Sequence, residues 1–484
     1  MSDAHILVIP YPAQGHLIPL LDHAHQLSSR GLLVTILITP KNLPLLSPLL
    51  SNSPSIQTLV LPFPKHPSIP DGIENVKDLP ISYFRPMMRA LSYLHQPALS
   101  WARSHPTPPA AIISDMFLGW TLHLAADLGI PRLVFSPSGA FAISVVNSLW
   151  RRMPKLPDNS DSDYPVSFPE IPGAPTYPWW QLSTVYRSYK EGDELSEFIK
   201  DGMLANMASW GLVVNSFTEL EGKYLEHLRK TLGHPRVWAV GPLHLQPTET
   251  NDRGGSSSVR LEDVMTWLEG REEGSVIFIC FGSQAVLSRQ QMEAVAEGLG
   301  RSGVAFVWCV KEATRGHDAK NFGLVPAGFE AEVSDRGLVI KGWAPQVAIL
   351  SHRSVGVFLS HCGWNSVLEG IVAGVSFLAW PMGADQFLNA TLLEESGVAV
   401  RVWEGATTVP DAAGLARALA ESVGVERPWR SEARELSAAA LRAVTNGGSS
   451  VKELDWFVEE LIRLSEPLTK EPILFPNRKR VATE

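Results

Sequence analysis

The chain has 484 residues, 45% of them hydrophobic and 19% charged, which excludes a disordered polyelectrolyte and suits two or three domains at roughly 100–200 residues each. Its 41 basic residues are outnumbered by 50 acidic ones, for a net charge of −9, and the dense basic run is confined to Arg478-Lys479-Arg480, so no nucleic-acid partner is expected. Three cysteines, Cys280, Cys309 and Cys362, are too few and too scattered for a disulfide framework or a four-ligand zinc site, which fits a reducing, cytoplasmic setting.

The first apolar run, residues 6–9, stops at Pro10 without a basic leader, so it reads as a strand and not as a signal peptide. No apolar stretch reaches the roughly 18 residues that span a bilayer. A Pro/Gly turn follows, then leucines at helical spacing as far as Gly31. Residues 32–38, 110–115 and 131–138 read as further buried strands with helical patterns between them, which predicts a parallel sheet covered on both faces. Past Leu243 the chain turns polar and Gly/Ser-rich, and residues 244–260 read as a linker. A second alternation then runs through strands at 275–283, 304–310, 338–343, 355–361 and 376–381. The expectation is α/β: an N-terminal domain over 1–243 and a C-terminal one over 261–450, facing each other across a cleft. A last helical pattern, 451–464 within the segment 451–484, is expected to pack back across the domains. Open α/β sheets bind ligands beyond the carboxyl ends of their strands.

The most informative stretch is 343–386. A strand ends at His361, Cys362 and Gly363 make a tight turn, and Trp364-Asn365-Ser366 open a helix. A helix N-terminus offers free N–H groups and the positive end of its dipole to an anion, so His361, Asn365 and Ser366 would surround a pyrophosphate, with Gly363 leaving room for it. Glu369, three residues past Ser366, can accept from both hydroxyls of a ribose, and Trp343 offers a flat face to a nucleobase. Taken singly, Asn365-Ser366 could be helix caps and Trp343 a core residue. His361 and Cys362 lack a second ligand pair at tetrahedral spacing, so no metal is expected.

This stretch closely resembles the signature box of plant family 1 UDP-dependent glycosyltransferases, in WAPQ, HCGWNS, the glutamate three residues on and the closing Asp-Gln. The resemblance extends over nearly the whole chain, through His16 after YPAQG, Asp115 in ISDMFLGW, VGPL, FGSQ and GGSS. It implies two Rossmann-like domains of GT-B type, the C-terminal one holding the nucleotide-sugar and the N-terminal one the acceptor. It further implies that Trp343, beside Ala344, stacks on uracil, that Gln346 and Glu369 contact the ribose, and that His361, Asn365, Ser366 and Ser283 hold phosphates. Trp364, Asp385 and Gln386 would face the sugar. Gln386 together with Trp364 looks like the glucose-using members, so UDP-glucose is the expected donor, with no separate cofactor.

Sugar transfer to a hydroxyl needs a base, and His16, between the first strand and the first helix, would stand at the mouth of the cleft. Asp115 ends its own strand on the same sheet edge, where it could orient that imidazole. Either residue alone would read as a helix-start hydrogen bonder or a cap. His5, His23 and His25 have no comparable placement and read as structural or exposed. Phe117, Phe135, Phe141, Trp179 and Trp180 supply aromatic surface for a flat phenolic acceptor. A Rossmann dehydrogenase is disfavoured because no strand is followed by G-x-G-x-x-G. UDP-rhamnose, UDP-xylose or UDP-galactose as donor, C-glycoside formation, and a non-catalytic nucleotide-binding protein remain as alternatives. A monomer is expected.

Overall fold

The computed structural model describes residues 4–157, 161–243, 258–311, 323–424 and 428–466. Most of the expected linker at 244–260 and the segment from Pro467 onward therefore lie outside the described residues.

The first half contributes β1 (His5–Ile9), β2 (Leu33–Ile38), β3 (Gln57–Val60), β4 (Ala111–Asp115), β5 (Arg132–Ser136), β6 (Pro165–Ser167), β7 (Thr176–Pro178), β8 (Gly211–Val214) and β9 (Val237–Ala239). Among the described residues seven of these form one parallel sheet in the order β3-β2-β1-β4-β5-β8-β9, while β6 and β7 pair as an antiparallel hairpin. β1, β4 and β5 are buried along their whole length, which is why they read as unbroken apolar runs: helices cover both faces. The second half contributes β10 (Val276–Cys280), β11 (Ala305–Val310), β12 (Gly337–Lys341), β13 (Val355–Ser360), β14 (Ser376–Ala379) and β15 (Ala399–Arg401). They form a second parallel sheet in the order β12-β11-β10-β13-β14-β15.

Both sheets grow outward from their first strand in one direction and then in the other. The reversal falls between β1 and β4 in the first sheet and between β10 and β13 in the second. Loops leaving neighbouring strands at such a point run apart and open a crevice. The strand ends at Asp115 and Ser360, and the segments after Ile9 and Cys280, therefore border the two crevices of the molecule.

The helix Ser449–Ser465 returns to the first domain. Its buried Leu454, Phe457, Val458 and Leu461 complete a core with Ile6, Val8, Leu17 and Trp238. Trp238 packs on Phe457 with ring centroids 4.9 Å apart. Of the ion pairs at its rim, Arg30–Asp455 at 3.1 Å is open to solvent on the carboxylate side and adds little beside the apolar contact, while Arg229–Glu453 at 2.9 Å is mostly buried.

Candidate active site

In the first domain the helix Gln14–Ser29 starts shortly after β1, and no side chain caps its N-terminus. His16 lies in its first turn. The imidazole Nδ1 donates to Asp115 Oδ2 at 2.8 Å, and the carboxylate is fully buried. The other Asp115 oxygen accepts the backbone N–H of Phe117 at 2.8 Å. Because a carboxylate only accepts, Nδ1 carries the ring proton and Nε2 presents its lone pair to the cleft side. The ring is held between Tyr11 and Phe117, at centroid distances of 5.4 and 4.6 Å. Behind Asp115, Arg132 is 1% exposed and donates to Ser114 Oγ, Asn206 Oδ1 and Ser209 Oγ at 2.9, 3.0 and 2.9 Å. Burial pulls this guanidinium down to about 9, opposed by the charge of Asp115, so it stays cationic at neutral pH and offsets the buried carboxylate.

In the second domain β13 delivers His361 to the cleft. Cys362 then adopts φ +63°, a left-handed backbone that costs a non-glycine residue strain, and the helix Trp364–Ala373 begins. No side chain caps that helix, so capping is not what Asn365 and Ser366 do. Asn365 Nδ2 instead donates to the carbonyl of Gly15 in the other domain at 3.1 Å. Gln346 Nε2 donates to Ser366 Oγ at 3.0 Å and to Glu369 Oε2 at 2.6 Å. Burial lowers His361 to about 4, so its ring is neutral. A Cβ on Gly282 or Gly363 would come within 2.5 Å of His361 Nε2, which explains glycine on both sides of the ring. His361 Nδ1 and Asn365 Oδ1 are buried with no partner among the described residues, as groups awaiting a polar ligand are.

The loop after β14 turns through Ala384, at φ +52°, to Asp385 and the helix Gln386–Glu395. Burial raises the Asp385 carboxyl, while hydrogen bonds from Ser138 of the first domain and from Asn389 lower it. Gln386 Oε1 accepts from the N–H groups of Met382 and Gly383 at 2.8 and 3.0 Å, which braces this loop.

Both halves open into one cleft of about 960 Å³. His16, Phe117, Ser283, Trp343, Ala344, Gln346, His361, Gly363, Trp364, Asn365, Ser366, Glu369, Asp385 and Gln386 all line it, and Asp115 lies beneath His16. Trp364 does more than face the cleft: its indole N–H donates to the Asn215 carbonyl of the first domain at 2.7 Å, so it braces the two domains.

Four residues expected in the acceptor pocket are not there. Phe135 is fully buried on the far face of the first sheet, stacked on His23 at 5.6 Å. Phe141 turns away from the cleft onto Tyr224 at 4.5 Å. Trp179 packs on Tyr186 at 5.8 Å, and Trp180 crosses to Phe387 of the second domain at 5.1 Å. The acceptor-side wall is instead built by Phe84, Val145, Leu149, Trp150, Leu182 and Met203, none of which sequence reasoning picked out. The one available signal was that residues 140–152 form a helix directly after a strand ending at the crevice. Glu221 was also missed. Its buried carboxylate accepts the Ala140 and Phe141 N–H groups at 2.8 Å each and so caps that helix from a distance.

Cys280 and Cys309, far apart in sequence, come side by side on the paired strands β10 and β11, and the Cys309 thiol donates to the Gly342 carbonyl at 3.3 Å. Among the described residues no three His, Cys, Asp or Glu side chains are grouped to hold a metal, and no helix is long and apolar enough to cross a membrane.

Two doubly wound parallel sheets, with an uncapped helix N-terminus at one switch point and a His–Asp pair at the other, define a glycosyltransferase fold of GT-B type. Residues 256–437 match the family described as UDP-glucoronosyl and UDP-glucosyl transferase. UDP-glycosyltransferase 89B2 of Stevia rebaudiana is 57% identical, covering 95% of this chain and 98% of its own length. The flavonol 3-O-glucosyltransferase UGT89B1 of Arabidopsis thaliana is 53% identical, covering 96% and 97%. The crystal structure of Arabidopsis thaliana UGT89C1 complexed with UDP-L-rhamnose is 40% identical, with a TM-score of 0.79, and covers 96% of this chain and 100% of that one. The chain belongs to the plant family 1 UDP-dependent glycosyltransferases and is an enzyme of that class.

Proposed function

We propose that this enzyme moves glucose from UDP-glucose to a hydroxyl of a flat phenolic acceptor, inverting the anomeric carbon. The observation that carries the reading is the His16–Asp115 pair, at 2.8 Å, opening into the same cleft as the donor-side groups around His361. His16 Nε2 takes the acceptor proton while the phenol oxygen attacks the anomeric carbon and the bond to UDP breaks. Asp115 keeps the proton on Nδ1 and stabilises the imidazolium that forms. The N–H groups at the start of the helix Trp364–Ala373, with neutral His361, receive the phosphate charge as UDP departs. No metal enters this scheme, because the helix N-terminus supplies the positive end. An acceptor of this class suits the wall of Phe84, Leu149 and Trp150 beside His16, and one relative is named for flavonol glucosylation. The reading includes a monomeric, cytoplasmic enzyme, supported by the net charge of −9 and three free cysteines.

UDP-rhamnose is the second reading, favoured by the 40% identical structure solved with UDP-L-rhamnose. A matrix of UDP-glucose, UDP-rhamnose, UDP-xylose and UDP-galactose against a panel of phenols, read by mass spectrometry before and after acid hydrolysis, tests both. An acid-labile hexoside made fastest from UDP-glucose supports the first reading. An acid-resistant product means a C-glycoside, and UDP binding without transfer to any acceptor means a non-catalytic protein.

A further inference from the structure

The helix Gln14–Ser29 contains a proline at its sixth position, Pro19. In an α-helix the amide of residue 19 donates to the carbonyl of residue 15, but proline has no N–H, so the helix leaves Gly15 O without its internal partner. That carbonyl accepts Asn365 Nδ2 of the second domain at 3.1 Å. Gly15 is joined directly to His16, whose ring is locked to Asp115. Asn365 stands in the first turn of the helix whose N-terminus lines the donor half of the cleft. One hydrogen bond therefore links the backbone beside the base to the helix end beside the phosphates.

We propose that Pro19 is a positioning residue for the transfer: by vacating the Gly15 carbonyl it creates a docking point for Asn365, which fixes the donor-holding helix against the helix that carries His16. One of the two Asn365 amide hydrogens is then engaged in the domain contact, and its backbone N–H stays free to face phosphate. Restoring an amide at position 19 makes the helix compete for Gly15 O and loosens the register between base and anomeric carbon. This rests on the assignment of His16 as the base of the transfer.

The test is a double-mutant cycle. Pro19→Ala and Pro19→Ser both restore the missing N–H, and each is made in the wild-type chain and in the Asn365→Ala variant. Transfer is measured in single-turnover mode on UDP-glucose and a phenolic acceptor, alongside melting temperature. With Asn365 present both substitutions should slow transfer roughly three- to ten-fold, the worth of one hydrogen bond, while the melting temperature holds or rises because an interior proline has left a helix. Combined with Asn365→Ala, neither should change the rate further, since no docking bond remains to be lost. Equal slowing with and without Asn365→Ala, different effects of alanine and serine at position 19, or no slowing with Asn365 present would overturn the proposal. A wild-type enzyme that transfers no sugar would instead overturn the functional reading beneath it, so the two failures are distinct.

Discussion

Gln346 and Glu369 stand on different helices, yet Gln346 Nε2 donates to Glu369 Oε2 at 2.6 Å and also to Ser366 Oγ at 3.0 Å. The carboxylate assigned to the ribose is thus held in place before any nucleotide arrives, which lowers the ordering cost of binding. Glu369→Ala should weaken UDP about ten-fold or more, because a ribose contact is common to donor and product. Gln386→Ala should leave UDP affinity within about two-fold while raising KM for UDP-glucose, since Gln386 braces the loop that presents Asp385. Calorimetric titration of UDP into both variants decides the matter, and equal losses would refute the division.

His16→Ala should lower turnover by roughly 100- to 10,000-fold with UDP affinity nearly unchanged. Asp115→Asn should be almost as damaging even though the side chain keeps its shape. An amide NH₂ facing Nδ1 would favour the tautomer with its proton on Nε2, which cannot accept one from the phenol. Asp115→Ala, which orients nothing wrongly, should cost less than His16→Ala. Near-normal turnover of His16→Ala on a weakly acidic acceptor would remove it as the base.

Acid should destabilise the fold over a defined window. Burial lowers His23 to about 3, with Arg30 adding to the effect, and its ring lies between Phe135 and Phe457, 5.6 and 5.5 Å away, with neither nitrogen partnered among the described residues. Burial likewise lowers His361 to about 4. Both groups stay neutral in the folded state while the unfolded chain takes up protons near pH 6.5, so stability is full above that pH. It is lost progressively as the pH falls toward 4 and then 3. Melting temperatures recorded against pH should show this slope, and His23→Leu should flatten it. An unchanged slope in that variant would mean that other groups carry the acid sensitivity.

The product should be the β-glucoside. Asp385, across the cleft from His16, is partly buried, with its carboxyl raised by desolvation and hydrogen-bonded by Ser138 and Asn389, which suits gripping a sugar hydroxyl better than attacking a carbon. One in-line displacement on an α-linked donor inverts the centre. A large anomeric coupling constant in the proton NMR spectrum of the purified glucoside is expected, and a small one would overturn the single-displacement scheme.

Transfer should persist in excess chelator, because the N-terminus of the helix Trp364–Ala373 supplies the positive charge facing the phosphates. Loss of activity in EDTA, restored by magnesium or manganese, would contradict this.

The second-domain side of the cleft was legible in the sequence because it is nearly contiguous: residues 343–386 run through strand, turn and helix, and their order fixes which ends meet the cleft. His16 and Asp115 were legible for a related reason, since each follows or ends a strand at the reversal point of the first sheet. The acceptor wall was not. Phe135 lies on a strand buried on both faces, so alternation could not say which face its ring takes, and it took the one away from the ligand. Phe141 and Trp150 share one helix, and only its packing against Tyr224 decides that the first turns inward and the second lines the cavity. The Gly15–Asn365 bond was equally hidden, because it joins domains whose closeness depends on every contact between them.

The helix Ser449–Ser465 gives the molecule a second passage between its halves, since the chain leaves the first sheet after β9 and comes home to it at Ser449. The backbone therefore joins the base-bearing half to the phosphate-facing half twice, and the Asn365–Gly15 and Trp364–Asn215 bonds add side-chain ties between the same two bodies, so the spacing of the base from the helix N-terminus is set by the whole chain path and not by one joint.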